Sequence, residues 1–557
     1  MRNFLLITGL SLFVVSCGTK APEEAKYIPK DASSVVVFDP MQVKDKLQKG
    51  AINVDTLLNK IFSNDSTDLK AKTFFRGFQD SAGIDWSRKL YFFMKQKSSM
   101  TKGVSQTFAV MAGLKSKTEL EAFIKKQTET SKKEIKTNKE YSWVKLEDNG
   151  ILSWNDKQVI AVGMNNDNKP SFDTASGTWT MPPAGEAAAE LEKEVATIYN
   201  QSADASMASV KPFTEMFKEK ADGYLFSSSN GTLSVLNSLP INLPGIDALL
   251  KDNYAVSTLN FAAGKIEAKS VNYVNERLGN ILKQYAGPVT NFTSIENYPI
   301  DHVSGVFLAA FNPDIVGGLL KELELQGMAD EFIKKSGLST QDIYKCLKGN
   351  ISVAFGDITY ANNKPGGFGL LPQGKLILHA AIGDKASFIK LMNEGIKNEF
   401  ITKKGNYYKL LVGAELPDVY FQADEKEIII SSDSLTAVQF LAKTNKTTVP
   451  ADVKEALNGK SAAFYADANR LFADFTKDTS VHIKNGIDKV LKDVIATMDN
   501  YKDGKITGKF ELRFNDEKEN SLVTLIKLAT NIASDYRQSA KVMSPELGLG
   551  AIKMMEN

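Results

Sequence analysis

The sequence predicts an α+β fold made of two tandem homologous copies, each a largely antiparallel sheet with helices packed on one face. One observation is the alternation of apolar and polar residues in strand-like stretches such as KITGKFELRF, which begins at Lys505. Such alternation suits an antiparallel sheet with one covered face. A second observation is that similar segments recur in the same order in both halves, which is the signature of an internal repeat.

Five pairs of segments carry the repeat. FDPMQVKDKL matches FNPDIVGGLL, SAGIDWSRKLYFF matches KSGLSTQDIYKCLKGNISVAF, and FAVMAGLKSKTELEAFIKK matches LHAAIGDKASFIKLMNE. SWNDKQVIAVG matches FQADEKEIIISS, and AAGKIEAKSVNYVNE matches KDGKITGKFELRFND. Strand-to-helix units and hairpins therefore alternate within each copy. We place copy one at residues 27–290, copy two at 295–540 and a C-terminal tail at 541–557.

The N-terminus has the features of a bacterial lipoprotein signal. Arg2 precedes an apolar stretch, which ends in Val14-Val15-Ser16-Cys17 and resembles a lipobox. The resemblance implies a signal peptide over residues 1–16, lipidation of Cys17 and a polar tether over 17–26. The lipid would anchor the chain to a membrane. Gly18 after the cysteine implies, by analogy, an outer-membrane lipoprotein, either periplasmic or surface-exposed.

Composition excludes several classes of function. The 557 residues carry a formal net charge of +2, which argues against a nucleic-acid partner. Cys346 is the only cysteine besides Cys17, so with Cys17 acylated the sequence predicts neither an intramolecular disulfide nor a two-cysteine zinc or redox motif. No cofactor is predicted.

A short motif resembles a known family. Ile28-Pro29-Lys30-Asp31-Ala32 enters a valine-rich strand that ends at Phe38-Asp39. Together with the lipobox and tether, this is similar to an uncharacterised family of Bacteroidetes outer-membrane or periplasmic lipoproteins. The resemblance implies a compartment and a fold, and it brings no catalytic residues.

No catalytic or metal-binding pattern emerges. The three histidines, His302, His379 and His482, are far apart and lack a second ligand at helical spacing. His379 lies in an apolar run and is interpreted as a hydrogen-bonded sheet residue. Gly459-Lys460-Ser461 resembles the end of a phosphate loop but lacks the earlier glycine, and we interpret it as the turn into a strand. Asp503-Gly504 is likewise a predicted hairpin turn rather than part of a calcium loop.

The two copies differ in their long polar loops. One, from Met164 to Gly185, contains Phe172 and Trp179, and the other, from Tyr360 to Gly374, contains Tyr360 and Phe368. Long irregular loops in compact domains are often functional. These four aromatics are the candidate residues for binding a ligand or partner, because aromatic rings stack on sugars and anchor protein interfaces. The alternative for Trp179 is that it folds back to cover a helix.

Three functions remain open. The first is a non-catalytic binding or scaffold lipoprotein of the cell envelope, with an envelope protein as partner. The second is a lipoprotein that binds a glycan or another small ligand through the aromatic loops. The third is a hydrolase whose site assembles only in space.

Asp39 is a candidate helix cap rather than a catalytic acid. Its counterpart in copy two is Asn312, which cannot exchange a proton. Both residue types are good N-caps, and the following Pro40 and Pro313 are predicted at the first helical position.

Overall fold

The computed structural model describes most of the chain. The described residues are 21–53, 56, 66–99, 103–128, 133–147, 150–166, 171–173, 178–180, 186–237, 243–361, 371–405, 407–410, 420–423, 426–443, 447, 449–471 and 487–543. Cys17 and Phe368, with the predicted signal peptide, lie outside them.

Twenty-two strands occur in the described part of the chain. They are β1 (Ser34–Phe38), β2 (Leu90–Ser99), β3 (Gly103–Gly113), β4 (Lys136–Thr137), β5 (Ser142–Glu147), β6 (Gly150–Trp154), β7 (Gln158–Asn166), β8 (Ser171–Asp173), β9 (Thr178–Thr180), β10 (Gly223–Ser228), β11 (Tyr254–Ala262), β12 (Lys265–Tyr273), β13 (Val303–Ala310), β14 (Leu347–Ala361), β15 (Leu371–Ile382), β16 (Ile401–Lys404), β17 (Tyr407–Leu410), β18 (Tyr420–Ala423), β19 (Glu427–Ser431), β20 (Ala462–Ala466), β21 (Leu491–Met498) and β22 (Lys505–Phe514).

The helices connect these strands. The α-helices of the described residues are α1 (Pro40–Lys49), α2 (Ser66–Ser81), α3 (Lys117–Thr128), α4 (Glu186–Asn200), α5 (Lys211–Glu215), α6 (Asn230–Leu236), α7 (Ile246–Leu250), α8 (Glu276–Gln284), α9 (Ile315–Glu322), α10 (Gln326–Lys334), α11 (Thr340–Cys346), α12 (Lys385–Lys397), α13 (Ser434–Ala442), α14 (Ala451–Leu457), α15 (Ile487–Val490) and α16 (Ser521–Met543). Short 3₁₀ turns lie at Glu23–Tyr27, Ala203–Ala205, Met207–Ser209, Met216–Lys218 and Phe292–Ile295.

Twenty strands form one continuous antiparallel sheet, and β8 and β9 form a separate hairpin. Following the pairings, the sheet runs β4-β5-β6-β7-β3-β2-β1-β10-β11-β12, then β22-β21-β20-β13-β14-β15-β19-β18-β17-β16. The two halves meet where β12 pairs with β22. The α+β class with a large antiparallel sheet is therefore confirmed.

The strand order of the second half repeats that of the first. β1 lies between β2 and β10, and β13 lies between β14 and β20. Beyond them, β3 and β7 follow β2, as β15 and β19 follow β14. Towards the junction, β11 and β12 follow β10, as β21 and β22 follow β20.

The main core lies on one side of the sheet, here called the closed face. In the first half, Val35, Val37 and Phe226 are buried there with the apolar side of α4. In the second half, Val306 and Leu308 are buried with Phe440 of α13 and Val453 of α14. Helices thus cover the closed face in each half, as an amphipathic sheet requires.

Helices also cover the outer strands on the opposite side, here called the open face. α3 places Leu120 and Ile124 against Trp154 and Val159, and α12 places Phe388 and Met392 against Ile382. The prediction of helices on one face fails for these outer strands. The reason is visible in β19, where Ile428, Ile429 and Ile430 are consecutive and need cover on both sides.

Helix α1 begins as predicted. Asp39 is its N-cap, the carboxylate accepts a hydrogen bond from the Gln42 backbone N–H at 3.2 Å, and Pro40 is the first helical residue. The prediction for copy two is wrong. Asn312 accepts from the Asp314 N–H at 3.0 Å within a turn, and α9 starts only at Ile315.

Candidate functional site: an open apolar face with a polar cleft

The central strands leave an apolar surface uncovered on the open face. Opposite residues in the register share a side, so the pairings place eight exposed apolar residues together on this side. Each is between 38% and 44% exposed. They are Phe92, Phe108, Val110, Leu225, Phe307, Leu376, Met498 and Phe510. The open face between α3 and α12 therefore carries exposed apolar side chains in both halves of the sheet. Between the two groups, Ser257 and Ser270 lie on the same side, and α16 packs against their strands β11 and β12.

The closed face has the opposite character at the junction of the halves. There β12 and β22 carry a ladder of charges, in which Lys265 Nζ lies 3.1 Å from Glu267 and 2.5 Å from Glu511. Lys509 Nζ lies 2.8 Å from Glu511. At these two strands the polar side of the sheet is therefore the closed face, which carries the charges. The apolar side is the open face, which lacks such charges at Ile266, Ala268 and Leu512.

A cleft of about 520 Å³ lies at one end of this apolar surface, where the strands meet α6, α7 and α8. Its floor includes Met94, Gln96, Ser227, Ala255 and Asn272, all of which point to the open face by register. Its other lining residues are Ser33, Ser228, Ser229, Gly231, Thr232, Leu250, Asn253, Tyr254, Tyr273, Val274 and Leu278.

The cleft is polar but uncharged. None of its described lining residues is an Asp, Glu, Lys, Arg or His. Burial, with the hydrogen bond and charge of Asp252, raises the pKa of Tyr254 to about 12, and burial raises the pKa of Tyr273. By register both tyrosine rings lie on the closed side of the sheet, where Tyr254 stacks on Phe226, so neither phenol adds a charge to the cleft.

Some of the polar groups that line the cleft already make hydrogen bonds within the protein. Ser33 Oγ donates to the Met94 carbonyl at 3.0 Å, and Ser229 Oγ donates to the Asn253 carbonyl at 3.0 Å. The Asn253 side chain accepts from the Asn275 N–H and donates to the Leu249 carbonyl.

Other polar groups remain available to a ligand. Within the described part of the chain, the side chains of Gln96, Ser227 and Thr232 have no hydrogen-bond partner. Hydroxyl and amide groups are thus what the cleft can offer to a bound molecule.

A close approach shapes the cleft. A Cβ on Gly231 would meet the Ser33 Cβ at 2.7 Å, so a glycine lets the start of α6 approach β1. The sequence signal is the run Ser227-Ser228-Ser229-Asn230-Gly231, which spans the end of β10 and the start of α6.

The predicted loop aromatics lie elsewhere. The hairpin β8–β9 places Phe172 directly opposite Trp179. Tyr360 lies on β14 opposite Pro372, and Phe368 is outside the described residues. The register thus brings Phe172 and Trp179 opposite each other, and the described lining of the cleft comes from other segments of the chain.

A second polar cluster lies on the closed face of the second half. His379 Nε2 lies 2.8 Å from a Glu427 carboxylate oxygen, and its Nδ1 lies 3.5 Å from Ser352 Oγ. The Tyr298 hydroxyl lies 2.9 Å from the same Ser352 oxygen. His379 is therefore hydrogen-bonded from neighbouring strands, as a sheet histidine.

This cluster does not present a nucleophile to substrate. Ser352 is 3% exposed and Tyr298 is fully buried. At the corresponding register positions, the first half of the sheet has the apolar residues Phe93, Ala109 and Ile160. The polar cluster is thus particular to the second half.

Two motif-like segments are turns, as the sequence analysis proposed. Gly459 has a positive φ of 73° at the entry to β20, and Lys460 pairs with Asp499 at 2.8 Å. Asp503 and Gly504 have positive φ values in the turn before β22. Among the described residues, no three His, Cys, Asp or Glu side chains are grouped so that they could hold a metal ion. None of the described helices has the length and apolarity needed to cross a bilayer.

Comparison with known proteins gives a family but no activity. No curated protein matches the sequence. Two solved structures of TP0453, in crystal forms III and IV, each align with 48% of this chain at 9% and 10% identity. They cover 87% and 86% of those chains with a TM-score of 0.23, which supports no inference. The family described as "Domain of unknown function (DUF4836)" matches residues 25–522. The chain therefore belongs to the DUF4836 family, whose function is unknown.

Proposed function

We propose that this protein is a non-catalytic binding lipoprotein of the cell envelope, and that its binding surface is the open face of the central sheet. The observation that supports this most is that eight exposed apolar residues lie on the same side of paired strands. Lipid on Cys17 would hold the protein to the outer membrane, on its periplasmic or outer side. The lipobox sequence supports this placement.

The size of the surface supports a binding role. Eight large apolar side chains at about 40% exposure present on the order of 500 Å² of apolar surface, taking roughly 150–250 Å² for a whole aromatic side chain. A typical monomer rarely leaves a contiguous patch of more than a few hundred Å² bare, and larger patches mark binding sites.

We also propose that the sheet arose from two tandem copies, with the bounds 27–290 and 295–540. The repeated strand order supports this, as does the pairing of β12 with β22 at the junction. Joining the copies through these strands extends the open apolar face across both, which a single copy would not provide.

Site-specific photo-cross-linking in intact envelopes tests the binding surface. Leu225 on the open face is replaced by benzoylphenylalanine in the full-length chain. The matched control places the same residue at Lys269, which lies on the charged closed face. We expect an adduct from position 225 and none from 269. Equal adducts from both positions, or none from either, would contradict the proposal.

A glycan is the second candidate ligand, because the hairpin places Phe172 opposite Trp179. Aromatic residues that lie together can stack on a sugar ring. Calorimetry or a glycan array with Trp179→Ala tests this, with Trp86→Ala as the control, since Trp86 donates to the Gln79 carbonyl at 3.1 Å. Binding that both variants retain would remove the hairpin from consideration.

A further inference from the structure

We infer that the cleft binds the head of an uncharged amphiphile, whose acyl chain lies on the open face. The inference rests on the proposed binding role of that face. The ligand class is a single- or double-chain lipid whose head carries hydroxyl or amide groups and no net charge.

The first step is the continuity of the cleft with the apolar surface. On β2, Gln96 and Met94 line the cleft, and Phe92 is the next residue on the same side. On β10, Ser227 lines the cleft and Leu225 is the next on that side. Same-side neighbours are two residues apart, about 7 Å along a strand. A molecule in the cleft therefore reaches exposed apolar side chains without leaving the sheet.

The second step is the charge of the head. A charged group placed in a cleft without a countercharge loses solvation that nothing there replaces. The described lining holds no ionised side chain. A carboxylate, phosphate or ammonium head would be poorly tolerated, whereas a glycerol, sugar or amide head would not be.

The third step is hydrogen bonding. The side chains of Gln96, Ser227 and Thr232 lack partners among the described residues and surround the cleft. Each offers both a donor and an acceptor. A head with several hydroxyl or amide groups satisfies such a lining, and a purely apolar ligand does not.

The fourth step is the tail. Beyond Phe92 and Leu225, the open face of the first half continues to the exposed Phe108 and Val110 of β3, which lie opposite Met94 and Phe92. Burial of apolar surface contributes about 25 cal/mol per Å², so covering these side chains favours an acyl chain. A cleft near 500 Å³ is also within the size range of small-molecule sites.

Photoaffinity labelling of the full-length protein in its own envelope membranes tests the inference. The probes are palmitoyl chains that carry a diazirine and differ only in the head, which is glycerol, carboxylate or trimethylammonium. Labelled peptides are then mapped by mass spectrometry. We expect the glycerol probe to label β2, β10 and β12 about tenfold more than either charged probe.

Three variants separate the head from the tail. Asn272→Asp adds a negative charge to the cleft floor, and we expect it to shift labelling from the glycerol probe to the trimethylammonium probe. Ser227→Asp does the same from another strand, should Asn272→Asp fail to fold. Leu225→Gln should weaken the labelling by all three probes equally. Lys269→Gln, on the closed face, should change none.

The outcomes are distinguishable. Equal labelling by all three heads overturns the uncharged-head inference and leaves the binding role of the open face intact. Labelling by no probe, with a protein adduct at position 225, overturns the lipid ligand in favour of a protein partner. No probe labelling and no adduct at all overturn both.

Discussion

Lys269 of β12 lies directly opposite Lys509 of β22. These two lysines also match each other in the repeated segments KIEAK and KITGK. The two strands with similar sequences therefore pair antiparallel about their own matching residues. The same pairing joins the two halves into one sheet and creates the charge ladder at their junction.

Lys265 should matter more to this junction than Lys269. Lys265 contacts both Glu267 and Glu511, at 3.1 and 2.5 Å, whereas Lys269 reaches Glu267 only at 3.8 Å. Because Glu267 and Glu511 lie opposite one another, removing Lys265 leaves Lys509, at 3.9 and 2.8 Å, to offset the repulsion between these like charges. We expect Lys265→Met to cost about 1 kcal/mol and the matched Lys269→Met under about 0.5 kcal/mol. Urea unfolding of both variants checks this, and equal losses would contradict it.

The ladder should also weaken in acid. Burial raises the pKa of Glu511, but hydrogen bonds from Lys265 and Lys509 outweigh burial and lower the pKa overall. A carboxyl group whose pKa is lower in the folded state than in the unfolded state, where it is near 4.3, stabilises the fold at pH values above the unfolded pKa. That stabilisation is lost as the pH falls through the pKa of the folded state. The difference in thermal midpoint between wild type and Glu511→Gln should therefore shrink below about pH 4. A difference that stays constant from pH 7 to pH 3 would refute this.

Substitution by alanine should destabilise the protein to different extents at two matched glycines. Gly264 and Gly504 occupy the same place in the repeated GKI hairpins and both have positive φ, 66° and 80°. A Cβ on Gly264 would lie 2.5 Å from the Glu517 Cα, while nothing lies within 4 Å of one on Gly504. Gly504→Ala should cost about 1 kcal/mol through backbone strain. Gly264→Ala should lower the thermal midpoint further, since the Glu517 backbone must also move.

The N-cap at Asp39 predicts that two substitutions there lower the free energy of unfolding by different amounts. Its carboxylate accepts from the Gln42 N–H and also lies 3.1 Å from Lys89 Nζ. Asp39→Asn keeps the cap and loses only a partly exposed ion pair, a loss of under about 1 kcal/mol. Asp39→Ala also loses the cap, which adds about 1 kcal/mol. Equal free energies of unfolding for the two variants would show that the cap contributes nothing.

The buried ion pair between Lys95 and Glu194 predicts that the stability losses of its two single variants do not add in the double variant. Lys95 Nζ lies 2.8 Å from Glu194, and both side chains are under 10% exposed. Glu194→Leu alone leaves a buried ammonium with only Asp31 nearby, at 3.2 Å, and should cost about 3 kcal/mol. The double variant Lys95→Met/Glu194→Leu should recover most of that loss. Denaturant unfolding of the three variants measures the coupling, and a double variant as unstable as the sum of the singles would contradict it.

The sequence predicted local elements well and their assembly less well. KITGKFELRF predicted β22 because its alternation is a property of the strand itself. The joining of β12 to β22 depends on pairing between segments more than two hundred residues apart, which alternation does not encode. The apolar open face escaped notice for a related reason. Phe92, Leu225 and Phe510 become neighbours on one side only through the register.

The proposed binding site also differs from the loops that the sequence favoured. Phe172 and Trp179 are predicted binding residues because they are aromatic residues in a polar loop. The cleft is lined instead by serines, a threonine, two asparagines and a glutamine, which are ordinary residues in strands and in the links that follow them. These residues form a recognisable cleft only because the fold brings them together at the strand ends.

Methionine oxidation in intact envelopes measures whether the open face is occupied there. Met498 is 42% exposed on the open face, and Met328 is 66% exposed on α10. Thioether oxidation follows accessibility. If the open face is occupied in the envelope, Met498 is protected there and becomes oxidised after delipidating purification, while Met328 is oxidised in both. Equal oxidation of Met498 before and after purification would show that the face is bare, and would contradict the account.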